Sequence, residues 1–255
     1  MNKLTLVWII LIIAGCTTLF ALYTYTQKEE APPSTPLEDV IKDAETLPTK
    51  EVDESTTPTE TKPTTPTQLN LAAAFYSQAP LGDWNYPWQE ACEEASILLA
   101  ANAYWKHNWT REEFNDEILK MVDWQKEKFG TYLDTTVAQT AQIVNDYLKL
   151  KTITHENPTY DDVVEIINKG HFIIMFFAGK ELGNPNFTNG GPVYHVLLVK
   201  GYKNPDKIIT HDVGTRNGAD YVYNWNVLQS AMHDFAIPID SGEKRMLEVL
   251  PPQAQ

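Results

Sequence analysis

"GGPVYHVLLVKGYKNPDKIITHDVGTRNG", residues 190–218, places two β-rich runs on either side of a turn. The first run is apolar, β-branched and aromatic, with one histidine, His195, inside it. The second ends on Asp212. Between them "KNPD" is turn chemistry. With an even number of turn residues, Tyr202 opposes Lys207 and Asp212 lies across from Leu197. His195 and Asp212 then project from one face as diagonal neighbours, ~7–8 Å apart at the backbone and within side-chain reach. A polar ring in an apolar strand must find partners or cost stability, and this register offers it a carboxylate. A core histidine bonded to backbone and an aspartate that merely opens a loop are the structural alternatives.

Outward from this hairpin, "HFIIMFFAG", "YVYNW" and "KRMLEVL" also read as strands, and "KTITH" as a short one ahead of them. Upstream the period is helical. Cys92, Ala95, Ser96, Leu99 and Ala103 recur on one helix whose first turn holds Glu93 and Glu94. "TREE", Thr110 to Glu113, is a capping box for a second helix. A third is expected over 136–148 and a fourth over 159–168, stopped at Gly170. "NVLQSAMHDF" predicts one late helix. Helices first and strands after define an α+β domain with an antiparallel sheet over residues 70–255, with no repeat and no break in composition.

The rest of the chain differs in kind. Residues 4–23, "LTLVWIILIIAGCTTLFALY", carry no charge and match the ~20 residues that cross a ~30 Å hydrocarbon slab. Residues 1–27 are therefore expected to form a membrane anchor, as a transmembrane helix or as a lipoprotein signal with its lipid on Cys16. Lys3 ahead of the run and acids behind it favour an extracytoplasmic C-terminal part. Residues 28–69 are Thr-, Pro- and acid-rich, with ten acids against four lysines, and read as a disordered linker or stalk. From Leu71 on, 24 acids stand against 15 Lys plus Arg, which argues against nucleic acid and anionic lipid surfaces as partners.

With Cys16 in the anchor, Cys92 is the single thiol of the domain, so no disulfide can form within it. A small buried hydrophobe is one reading. The helix N-terminus is the other, because it lowers a thiol pKa when cations assist. A nucleophilic thiol also needs a base and a group to orient that base. Of the six histidines, at 107, 155, 171, 195, 211 and 233, His195 is favoured for its apolar strand, with Asp212 as orienter. A zinc site of Cys92, His195, His211 and Asp212 lacks any close ligand pair and is set aside.

"FYSQAP" with Gln78, "ACEEAS" with Cys92, "GGPVYHVLLVKGY" with His195 and "THDVGTRNG" with Asp212 together resemble the papain-like cysteine peptidases. The likeness is closest to their bacterial branch related to peptidases that remove double-glycine leaders. It implies a papain-like fold, with the nucleophile on the first long helix and the base and orienter on the sheet. Carried over by position, Cys92 is the nucleophile, His195 the base and acid, Asp212 the orienter and Gln78 the oxyanion-hole donor. Gln89 is a substitute donor, and no metal or cofactor is implied. The pattern departs at Cys92-Glu93-Glu94, where relatives commonly have Cys-Gly-Pro; two carboxylates beside the thiol raise its pKa unless both point into solvent. The expected function is a membrane-anchored peptidase acting on peptide or protein outside the cytoplasm. An inactive binding domain and an amidase or acyltransferase on cell-envelope material are the alternatives.

Overall fold

The computed structural model describes residues 29–46 and 66–252. Its helices are α1 (Leu37–Thr46), α2 (Cys92–Trp105), α3 (Arg111–Phe129), α4 (Val137–Asp146), α5 (Tyr160–Asn168) and α6 (Trp225–Ala231). Its strands are β1 (Gln68–Asn70), β2 (Lys151–Glu156), β3 (Phe172–Ala178), β4 (Tyr194–Lys203), β5 (Lys207–His211), β6 (Tyr221–Asn224) and β7 (Arg245–Leu250). Three helices start where side chains satisfy their first amides. Thr110 with Glu113, Thr136 with Gln139 and Thr159 with Asp162 each form a full capping box. Gly130 closes α3 with φ at +75°, a left-handed conformation that suits glycine.

The strands form one antiparallel sheet in the order β2-β7-β3-β4-β5-β6, with β1 also on β4. β3 pairs with Tyr194–Val199 of β4, and β1 takes over the same flank at Gly201–Lys203. α2 packs on β4, α5 on β3 and β4, and α4 on β2 and β7. Every residue of β3 is buried, as are all of β4 but Lys203, which is why β3 reads as an unbroken apolar run and β4 as one interrupted by His195 and Lys200, rather than as alternating strands. α2 is buried on every side from Cys92 to Asn102 and forms the spine of the core.

The hairpin register differs from the sequence expectation at its turn and agrees at its far end. Tyr202 faces Ile208 rather than Lys207, but a bulge between Val199 and Gly201 shifts the pairing by one, so that Leu198 faces His211. Asp212 therefore follows on the line of Leu197. The residue absorbed by the bulge is Lys200. Its side chain is fully buried, and its Nζ donates to Asn70 Oδ1 and Asp220 Oδ1, both at 2.6 Å. Without those acceptors the ammonium could not stay inside.

Two expectations are corrected here. A transmembrane helix was expected ahead of the domain, yet among the described residues no helix is long and apolar enough to cross a membrane. Residues 4–23 themselves lie outside the described residues. The expected disordered stalk fails over 29–46. Thr35 bridges Leu71, Asn70 Nδ2 donates to the Pro32 carbonyl at 2.8 Å, and α1 sends Leu37 and Val40 into the core. The physical reason is a local stripe: Leu37, Val40, Ile41 and Ala44 fall at i, i+3, i+4 and i+7 within an acidic, Pro-rich background whose averaged composition conceals it. The described residues from Ala31 onward accordingly belong to one compact unit. Leu37→Ala is expected to destabilise this unit by roughly 2 kcal/mol, measured by urea unfolding of the full chain; no change would mean that α1 is not part of the cooperative fold.

Candidate active site

His195 sits in β4 with 1% of its surface exposed, and Asp212, just past β5, is fully buried. His195 Nε2 and Asp212 Oδ1 are 2.8 Å apart. Gly214 donates its amide to the same oxygen at 3.1 Å. Oδ2 accepts from the Tyr223 hydroxyl at 2.6 Å and Asn184 Nδ2 at 2.9 Å. Burial alone would raise this carboxyl, but the His195 charge and the hydrogen bonds from His195, Tyr223 and Asn184 outweigh it and hold Asp212 below the ordinary value. The imidazole is confined as closely. Phe187 meets it edge-on at 5.3 Å, and a Cβ at Gly214 would stand 2.7 Å from Cε1. With Nε2 given to the carboxylate, Nδ1 is the nitrogen left for chemistry.

Cys92 opens α2, behind a short 3-10 turn at Trp88–Glu90 and an Ala91 N-cap that offers no side-chain acceptor. The first-turn amides of a long helix therefore point at the thiol's surroundings. The two neighbouring carboxylates do not point into solvent. Glu93 is 1% exposed and Glu94 fully buried. Glu94 accepts from Gln125, while Glu93 accepts from the thiol, Sγ to Oε2 at 3.0 Å. Burial first, then the charge of Glu93 and its hydrogen bond, push the Cys92 thiol well above its ordinary range. The helix N-terminus alone predicts the opposite direction; here desolvation and like charge win, and the resting sulfur is a neutral thiol.

Cys92, His195, Gln78 and Gln89 all line one cleft of about 720 Å³, together with Trp84, Phe187, Tyr194 and Asp134. The structure thus gathers the sequence-predicted residues, with Asp212 behind the imidazole. Gln78 is anchored by its backbone to the Val213 carbonyl. Its Nε2 donates to the carbonyls of Trp88 at 2.9 Å and Gln89 at 2.8 Å, which uses both amide hydrogens. Gln89 is exposed and bonds Glu90 Oε1 at 2.9 Å. His211, the neighbour of Asp212, turns the other way. It bonds the Ala73 carbonyl and the Asp220 amide, and burial, reinforced by the Lys200 charge, holds its pKa at about 4.

Three contributors escape the sequence reading. Tyr223 has a faint signal, as an aromatic on the inward side of β6. Asn184 stands in an Asn- and Gly-rich loop that gives no cue. Gly214 looks like turn chemistry and nothing more, although its lack of a side chain is what admits the ring.

This layout is that of a papain-like peptidase domain: an α+β fold with an antiparallel sheet, a cysteine at the head of its core helix and a histidine on the facing strand. A model of the Peptidase_C39 like family matches residues 70–235, and the chain belongs to that family. A crystal structure of a candidate C39-like peptidase from Bacillus anthracis is similar over 71% of this chain and 96% of that one, at 12% identity and a TM-score of 0.47. A likeness that loose transfers no residue roles. No curated protein matches the sequence significantly.

Tyr223→Phe removes one donor from the buried Asp212 carboxylate and is expected to cost roughly 1–3 kcal/mol at about pH 7. Because the folded carboxyl titrates below its ordinary value, the stability it contributes is present above the unfolded pKa and is lost as pH falls through the folded one. The difference between wild type and variant should therefore shrink toward about pH 3 in paired urea melts. A constant difference would mean that the hydroxyl does not serve the charged form.

Proposed function

We propose that this domain is a cysteine peptidase that hydrolyses peptide or protein substrates through a thioester on Cys92. The observation that carries the reading is the His195–Asp212 pair at 2.8 Å, buried and fully bonded, in the wall of the cleft that also holds Cys92. A histidine kept there only for packing would have no use for a carboxylate with three further donors. In the reaction His195 Nδ1 takes the thiol proton and the sulfur attacks the carbonyl carbon. The C–N bond then breaks as the imidazolium returns its proton to the leaving amine. Water, deprotonated by the same ring, releases the acid product from the thioester. Asp212 holds the ring in the Nε2–H form and stabilises its charged state. The Cys92 amide at the helix head is one donor to the oxyanion. Gln78 supplies a second by exchanging one of its two carbonyl partners for the developing charge.

A second reading, a peptide-binding domain without turnover, draws on the neutral thiol held by Glu93.

Purified full-length protein assayed on a mixed fluorogenic peptide library separates the two. Cys92→Ala is expected to abolish hydrolysis, and His195→Ala to lower kcat/KM by ~10²–10⁴-fold. Gly214→Ala, which pushes a methyl against the ring, is expected to cost ~10²-fold through misplacement while the protein stays folded. Hydrolysis that is equal in wild type and Cys92→Ala, or absent from both while peptides still bind, would sink the peptidase reading.

A further inference from the structure

The one hydrogen bond that the Cys92 sulfur donates to a side chain goes to its own helix neighbour. Sγ lies 3.0 Å from Glu93 Oε2, and that carboxylate is built into place. Its other oxygen accepts from the Thr135 amide at 2.8 Å and from the Thr135 hydroxyl at 3.2 Å. Thr135 is itself tied down, its hydroxyl to Thr140 at 2.8 Å and its carbonyl to the Tyr194 hydroxyl at 2.8 Å. Two donors from the segment ahead of α4 thus fix Oε1 and aim Oε2 at the thiol.

An ionised carboxylate is the wrong neighbour for a thiolate. Two anions 3.0 Å apart on buried side chains repel with little screening. The titratable groups that face Glu93 do not relieve this: they are Cys92 and Glu94 on α2, Asp134 ahead of α4 and Tyr194 on β4. His195, farther along the cleft wall, is the group that can supply positive charge.

We propose that Glu93 is a positioning residue and a proton-controlled latch on the nucleophile: ionised, it holds Cys92 as a neutral thiol; protonated, it becomes a hydrogen-bond donor to the thiolate. The inference rests on the reading of Cys92 and His195 as nucleophile and base. The step balances in protons alone. Glu93 takes one proton from solvent, the S–H proton passes to His195 Nδ1, and O–H···S⁻ replaces S–H···O⁻, so that no electrons change hands. Burial, with the charge of Asp134 adding to it, pushes the Glu93 carboxyl up to about 7 despite its hydrogen bonds from Cys92 and Thr135. The latch therefore opens as pH falls through neutrality. The sign is opposite to that of an ordinary thiol, whose reactivity climbs with pH.

The test is the rate of Cys92 alkylation by iodoacetamide in the full chain, from about pH 5 to about pH 9, read by mass spectrometry on the Cys92 peptide. In the wild type the rate is expected to fall as pH rises through about 7, the range set by Glu93. Glu93→Gln, which is neutral and can donate to the thiolate, is expected to keep the acid-range rate and to react at least ~10-fold faster than wild type one unit above that point. His195→Ala separates the two levels of the proposal. If it leaves alkylation unchanged at every pH, the nucleophile–base reading has failed. If it slows alkylation while the Glu93→Gln profile superimposes on the wild type, the latch alone has failed. Should Glu93→Gln not fold, the wild-type profile still decides, since a single ordinary rise with pH and no acid limb overturns the latch.

Discussion

The chemistry available to this domain depends on one buried hydrogen-bonded pair, His195 with Asp212. Carboxylate and imidazole are both sealed from solvent, so each would be costly alone. Together they are affordable only because Asp212 also receives Tyr223, Asn184 and the Gly214 amide. Those donors come from β6, from the loop ahead of β4 and from the loop that follows β5, and the pair can form only when the sheet is assembled. The site is therefore a product of the fold rather than an addition to it. Its location on β4, the strand against which the core helix α2 packs, brings the imidazole into the cleft headed by Cys92.

At the other wall of the cleft a different balance holds. The N-terminal end of a helix favours negative charge, and α2 places three candidates there: a thiol, Glu93 and Glu94. All three are buried, and the helix end cannot stabilise three anions at once. The compromise visible in the structure is a shared proton economy, with Glu94 paired to Gln125, Glu93 to Thr135, and the thiol to Glu93.

Much of this was legible in the residues. The capping box at Thr110 announces its helix by composition alone, and the apolar, β-branched and aromatic runs of β3 and β4 announce strands; the boxes at Thr136 and Thr159 emerge from the structure. The approach of His195 to Asp212 was readable because side-chain alternation makes register a near-binary choice. The bulge that swallows Lys200 was not readable, and the turn it compensates was misjudged by one residue; the two shifts cancel at Asp212. Charge misled the reading once. The acidic stretch around α1 looked unfoldable because its four apolar residues stand among six polar ones. The direction of Glu93 and Glu94 stayed open in the sequence, because nothing local foretells that Thr135 and Gln125, from 31 to 42 positions away, bond them inside the fold. Long-range hydrogen bonds of that kind leave no periodicity behind.

The central claim, that Asp212 holds His195 in the form able to take a proton from sulfur, can be tested at the ring itself. Nitrogen-15 NMR of histidine-labelled protein reports which imidazole nitrogen carries the proton in the neutral state. The account predicts the Nε2–H tautomer for His195, with a strongly hydrogen-bonded, low-field proton that disappears in Asp212→Asn. A proton on Nδ1, or a spectrum indifferent to that substitution, would contradict it.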